Sequence, residues 1–147
     1  MANEVVTIPP FNLDDSRLWH YRASVIRVVD GDTLDVFVDK GFGDYTRQRV
    51  RLLGVDTPEM RPRKGSPDER LAEKAAAKAA TERVEFLVGN KEIVIKTSKA
   101  GNFGRWLATV YLPEDVVTQL GRVSDGRERL SLNELLLEEG HATVYGA

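Results

Sequence analysis

The chain has 147 residues, 41% of them apolar and 30% charged, enough for one domain with its own core. The absence of cysteine excludes disulfide staples, thiolate metal sites and a cysteine nucleophile. Twenty-one basic and 23 acidic side chains give a formal net charge of −2, which argues against coating nucleic acid by bulk electrostatics. The two histidines, His20 and His141, lie far apart and read as structural or surface residues, not ligands. No apolar run approaches the roughly 18 residues of a membrane span. The first twenty residues carry Glu4, Asp14, Asp15 and prolines instead of a basic start and an apolar stretch. A cytoplasmic chain is therefore expected.

Residues 1–20 read as an amino-terminal arm, with Phe11, Leu13, Leu18 and Trp19 available for docking, and residues 21–147 as the folded domain. Tyr21–Asp30 and Thr33–Asp39 are rich in β-branched residues and separated only by Gly31-Asp32, which predicts a tight reversal. In the second run Leu34, Val36 and Val38 alternate with Asp35, Phe37 and Asp39, the period of a half-buried strand. A glycine turn at Gly41–Asp44 leads to a third strand, Arg47–Val55, on which Arg47, Arg49 and Arg51 share one face.

Ser66-Pro67-Asp68-Glu69 is a capping box that opens a helix ending at Gly89-Asn90. Its predicted apolar face comprises Leu71, Ala72, Ala75, Ala76, Ala79, Ala80, Val84, Phe86 and Leu87. Strands follow at Lys91–Thr97 and Arg105–Leu112. Pro113–Leu130 reads as a polar hairpin or loop, and Ser131-Leu132-Asn133-Glu134 caps a short helix ending at Gly140. Trp19, Phe86, Trp106 and Tyr111 are assigned to the core. Together these elements predict an α+β domain: a five-stranded OB-type β-barrel with one inserted and one trailing helix.

Chemistry-bearing residues gather at the predicted strand ends. Asp30-Gly31-Asp32-Thr33 is either an ordinary hairpin turn or a carboxylate site. Val55-Asp56-Thr57-Pro58-Glu59 is either a solvated strand end or a second one. Gly101-Asn102-Phe103-Gly104-Arg105 sends an arginine into a strand. Between Arg47 and Lys64 six cations stand against two acids, a local anion site on an acidic body. Arg61, Arg63 and Lys64 in this segment read either as a solvated loop or, next to the carboxylate segments, as phosphate steering, the favoured reading. Carboxylates without histidine or cysteine suit a hard cation such as calcium, and the guanidinium fork matches phosphate oxygens. A metal, a base and charge stabilisers in one place point to phosphodiester hydrolysis.

VVDGDTLDV, VRLLGVDTPE, GNFGR and SLNELLLEEGHA, in this order, resemble the staphylococcal nuclease family over Tyr21 to Tyr145. The resemblance implies an OB-type barrel that cleaves DNA and RNA with calcium, single strands preferred, leaving 3′-phosphate ends. It implies that Asp32 and Asp56 are calcium carboxylates and that Thr57 offers a backbone carbonyl. Glu59 is the implied general base, and Arg51 and Arg105 are the arginines that stabilise the transition state. Phe103 stands at the substrate-binding turn where the family usually has a tyrosine. Arg47 and Arg49, farther from the VDTPE segment than Arg51, are left with screened attraction only. The competing class is a noncatalytic nucleic-acid or protein-binding module on the same barrel.

Overall fold

The computed structural model describes residues 18–98, 106–122 and 129–145. Most of the amino-terminal arm, the Gly101–Arg105 turn with Phe103, and residues 123–128 lie outside them.

The first two strands, β1 (His20–Asp30) and β2 (Thr33–Asp39), form the antiparallel hairpin that the alternation and the Gly31-Asp32 reversal predict. Two bulges interrupt β1: Val25 pairs with Val36 but Arg27 with Asp35, and Val28 pairs with Leu34 but Asp30 with Thr33. Each adds a residue, so the buried positions run Ala23, Val25, Val28 and Ile26 is turned outward. Bulges bend a strand and raise its twist, as a small barrel requires. The third strand, β3 (Tyr45–Leu52), pairs antiparallel with β2 from Thr33–Arg51 to Asp39–Tyr45.

The third strand is shorter than its sequence suggests. Gly54 adopts a φ of 76°, in the left-handed region, and turns the chain out of the barrel. Val55–Asp56 then forms a separate two-residue strand, β4. Helix α1 (Pro67–Val88) starts at the predicted capping box: Ser66 Oγ accepts from the Glu69 N–H at 3.2 Å, and Glu69 Oε2 accepts from the Ser66 N–H at 3.4 Å. Its buried residues are Ala77, Ala80, Val84, Leu87 and Val88. The longer apolar face expected from the sequence is therefore corrected. Leu71 is 69% exposed, and Phe86 points outward with the Arg83 guanidinium 5.6 Å from its ring centre. Alanine is neutral between faces, so the alanine run could not be phased from its pattern.

Strand β5 (Glu92–Ser98) pairs antiparallel with β1, and β6 (Trp106–Tyr111) pairs antiparallel with β5 and parallel with β3. The order β1-β2-β3-β6-β5 closes into a barrel around Leu34, Val36, Val50, Leu52, Ile95, Ala108 and Val110. The five-stranded OB-type barrel expected from the sequence is present, with the inserted helix and a trailing helix.

A further helix, α2 (Glu114–Gln119), lies in the segment read as a polar loop, and it buries Val116 and Val117. Helix α3 (Leu132–Glu138) is capped by Ser131 Oγ, which accepts from the Glu134 N–H at 3.1 Å. The short β7 (Thr143–Val144) pairs with β4. Trp19 and Trp106 are exposed like Phe86, not core as expected; Tyr111 is half-buried and stacks on His20. Trp106 opens β6 and is 50% exposed. Among the described residues no helix is long and apolar enough to cross a membrane.

Candidate active site

Three segments distant in sequence meet at the β1–β2 turn. Gly31 makes the approach close enough, since a Cβ there would stand 3.0 Å from Thr57 Cγ2 and 3.1 Å from Ala80 Cβ. The turn, the loop after β4 and α1 thus pack around a position that only glycine fits without displacement. Asp32 next to it is 6% exposed. Its Oδ1 accepts from the Thr33 hydroxyl at 3.0 Å and its Oδ2 from the Thr57 N–H at 3.2 Å. The Leu52 N–H donates to the Asp32 carbonyl at 2.8 Å, fixing the turn against the end of β3.

Arg51 reaches across this corner. Its Nη2 donates to Asp56 Oδ1 at 3.1 Å, lies 3.4 Å from the Val55 carbonyl oxygen and 3.6 Å from Asp32 Oδ2. The guanidinium is 5.2 Å from the centre of the Tyr145 ring, a cation–π contact. Tyr145 is held there because its N–H donates to the Gly54 carbonyl at 3.0 Å, next to the β4–β7 pairing. The Arg51 side chain is only 17% exposed, whereas that of Asp56 is 48% exposed. The cluster therefore has a sealed side at Asp32 and an open side at Asp56.

Burial, with the hydrogen-bonded carboxylate of Asp32 beside it, pushes the Asp30 carboxyl up to about 6. Burial also opposes ionisation of Asp32. The hydrogen bond from Asp30, the Thr57 N–H, the Arg51 charge and the Thr33 hydroxyl outweigh it and hold Asp32 below the ordinary carboxylate range.

The structure brings together Asp32, Arg51, Asp56 and Thr57. Glu59 sits farther along the same loop, exposed, with its N–H donating to Glu73 Oε1 at 3.3 Å. Among the described residues no hydrogen bond or ion pair ties the Glu59 carboxylate to the cluster. Arg61, Arg63 and Lys64 line the exposed loop before α1. Arg105 and Phe103 fall outside the described residues. Nor do three acidic or histidine side chains gather as a ready-made metal cage among the described residues.

Sequence reasoning named Asp30 with the Gly31-Asp32 turn but missed Tyr145 and Asn133 as parts of this corner. Asn133 is buried at the start of α3. Its Nδ2 donates to the Leu53 carbonyl at 2.9 Å and the Ala108 carbonyl at 3.2 Å, and its Oδ1 accepts from the Val110 N–H at 3.0 Å. It laces the parallel β3–β6 seam just beyond Arg51. An amide inside an otherwise leucine-rich helix start was the available signal.

The model of the staphylococcal nuclease homologue family matches residues 49–147, about two-thirds of the chain and most of the corner just described. The chain belongs to this family. Among its relatives is an uncharacterised protein of Methanocaldococcus jannaschii, 31% identical over 141 residues that cover 86% of this chain and 60% of that one. A micrococcal nuclease of Shigella flexneri is 29% identical over 126 residues, 85% of this chain and 59% of that one. A thermonuclease of Staphylococcus hyicus is 33% identical over 98 residues, 65% of this chain and 51% of that one. The chain thus spans between 51% and 60% of the length of these family relatives.

Proposed function

We propose that this chain is a calcium-dependent nuclease that hydrolyses phosphodiester bonds of DNA and RNA, single strands preferred, leaving 3′-phosphate ends. The observation that carries the proposal is one Arg51 nitrogen standing between the carboxylates of Asp32 and Asp56. Two carboxylates from separate elements already share one cationic group there, and an oxygen-only donor set suits calcium. Asp32 and Asp56, with the backbone carbonyl of Thr57, would hold the ion. When bound, calcium would supply Lewis-acid polarisation of a phosphoryl oxygen.

The remaining roles belong to the chain's own side chains. Arg51, with its planar fork, binds the scissile phosphate and offsets the charge that develops on it. Arg105, one residue before Trp106 in the chain, is assigned the second guanidinium. Glu59, exposed three residues beyond Asp56 in the loop after β4, takes the proton from the attacking water. Arg61, Arg63 and Lys64 draw phosphate toward the loop, and Phe103 offers a ring without a hydroxyl at the substrate turn. The names of the relatives from Shigella flexneri and Staphylococcus hyicus support a nuclease reading.

The discriminating experiment is Glu59→Gln. Under this reading the variant still binds a single-stranded oligonucleotide but loses turnover. A wild-type chain that binds and never hydrolyses, with the variant indistinguishable from it, would assign the barrel to the noncatalytic class.

A further inference from the structure

The chain is acidic overall, yet one face of the barrel is not. Cross-strand pairing over β1, β2 and β3 places Arg22, Asp39 and Tyr45 in one row. Ser24, Phe37 and Arg47 form the next, then Arg27, Asp35 and Arg49, and finally Asp30, Thr33 and Arg51. Arg22, Arg27, Arg47 and Arg49 are all exposed. This outer face therefore carries five arginines against three aspartates. One of those acids is already neutralised, since Arg49 donates to Asp35 through Nε at 2.8 Å and Nη2 at 3.2 Å.

Aromatic rings stand among these cations. Phe37 and Tyr45 are 44% and 53% exposed, and their rings stack with centroids 5.3 Å apart and planes 3° off parallel. Water-facing rings beside an arginine excess fit a ligand that offers phosphates and flat bases together. Duplex nucleic acid keeps its bases stacked inside, so the ring pair selects a single strand. The face is also continuous with the candidate active site. Arg49 and Arg47 follow Arg51 on the same side of β3 at steps of roughly 6.8 Å.

We infer that the outer face of β1–β3 is a track for single-stranded nucleic acid lying beyond the cleavage site. It takes phosphates on Arg27 and Arg47 and a base on the Phe37–Tyr45 stack. The inference rests on the nuclease reading for its ligand class, but the track needs no hydrolysis to operate. Its signature is an affinity that grows with substrate length.

The test is fluorescence anisotropy in chelator, comparing a labelled thymidine trinucleotide with an oligothymidylate of about 12 nucleotides, within the span one such barrel covers. The longer strand should bind at least about tenfold tighter, and Phe37→Ala combined with Arg47→Gln should abolish that advantage. Loss of one phosphate contact should also flatten the salt dependence for the longer strand by about 0.7 in log–log slope. Phe37→Tyr keeps a ring on the stack and should retain the advantage, which separates stacking from a folding defect.

An unchanged length advantage in the double variant would overturn the track, even if the protein cleaves DNA. Loss of the advantage in Phe37→Tyr equal to that in the double variant would overturn it as well. A protein that never cleaves but loses length-dependent binding in the double variant would refute the nuclease reading and uphold the track.

Discussion

Arg51 donates to the Asp56 carboxylate at 3.1 Å across the Gly54 turn, and the same nitrogen lies 3.6 Å from Asp32. Replacing Arg51 by Lys keeps the charge but removes the planar fork that can serve two oxygens at once. Turnover on a single-stranded oligonucleotide with calcium should fall by about 100- to 1,000-fold, the usual loss for a preorganised transition-state donor. Arg83→Lys, on α1 and paired with Glu139, is the control and should leave turnover unchanged.

Gly31 is where space decides the outcome. Gly31→Ala would set a methyl against Thr57 Cγ2 at 3.0 Å and Ala80 Cβ at 3.1 Å, neither of them the end of a long flexible chain. Relief requires Thr57 or α1 to shift, and overpacking of this kind costs about 1–3 kcal/mol. The urea midpoint should drop accordingly. Because the Thr57 N–H holds Asp32 Oδ2, the calcium concentration needed for half-maximal cleavage should rise in the same variant.

Asn133→Ala leaves the Val110 N–H and the Leu53 carbonyl short of a partner at the β3–β6 seam, while the Ala108 carbonyl keeps the Leu53 N–H at 2.8 Å. An unpaired buried backbone group costs about 1–3 kcal/mol, so the variant should lose at least about 2 kcal/mol of stability by urea unfolding. A loss near zero would show that the seam does not depend on this amide.

The pair joining α1 to the end of α3 predicts a pH response. Arg83 donates to Glu139 through Nε at 2.8 Å and Nη2 at 2.7 Å, and this hydrogen bonding holds the Glu139 carboxyl below its ordinary 4.5. A depressed folded-state value means that folding favours the anion. The stabilisation is present in full above pH 4.5 and disappears as pH falls through the lower folded-state value. The melting-temperature difference between wild type and Glu139→Gln should therefore be largest near neutrality and shrink below pH 4.5.

The parts of this molecule legible in its sequence are those set by local chemistry. The period-two alternation of Leu34, Val36 and Val38 and the short Gly31-Asp32 reversal specify the meander, and Ser66 with Glu69 specifies the start of α1. The misread parts depend on tertiary contact. Val55–Asp56 looks like a continuation of β3, but Gly54 turns it out to meet Thr143–Val144 nearly ninety residues later. Only the acidic first turn Glu114-Asp115 and the apolar pair Val116–Val117 mark α2, which lacks a side-chain cap. At the site, carboxylates at strand ends could be read from motif order. The placement of Tyr145 under Arg51 could not, because it depends on β7 closing over β4.

The central claim is that Asp32 and Asp56 form a calcium-dependent hydrolytic site with Arg51. The most direct measurement is cleavage of a single-stranded oligonucleotide with calcium and again after a calcium chelator is added. The account predicts cleavage to 3′-phosphate ends with calcium, abolished by the chelator and absent from Asp32→Asn. Equal cleavage in both conditions, or none in either, would contradict it.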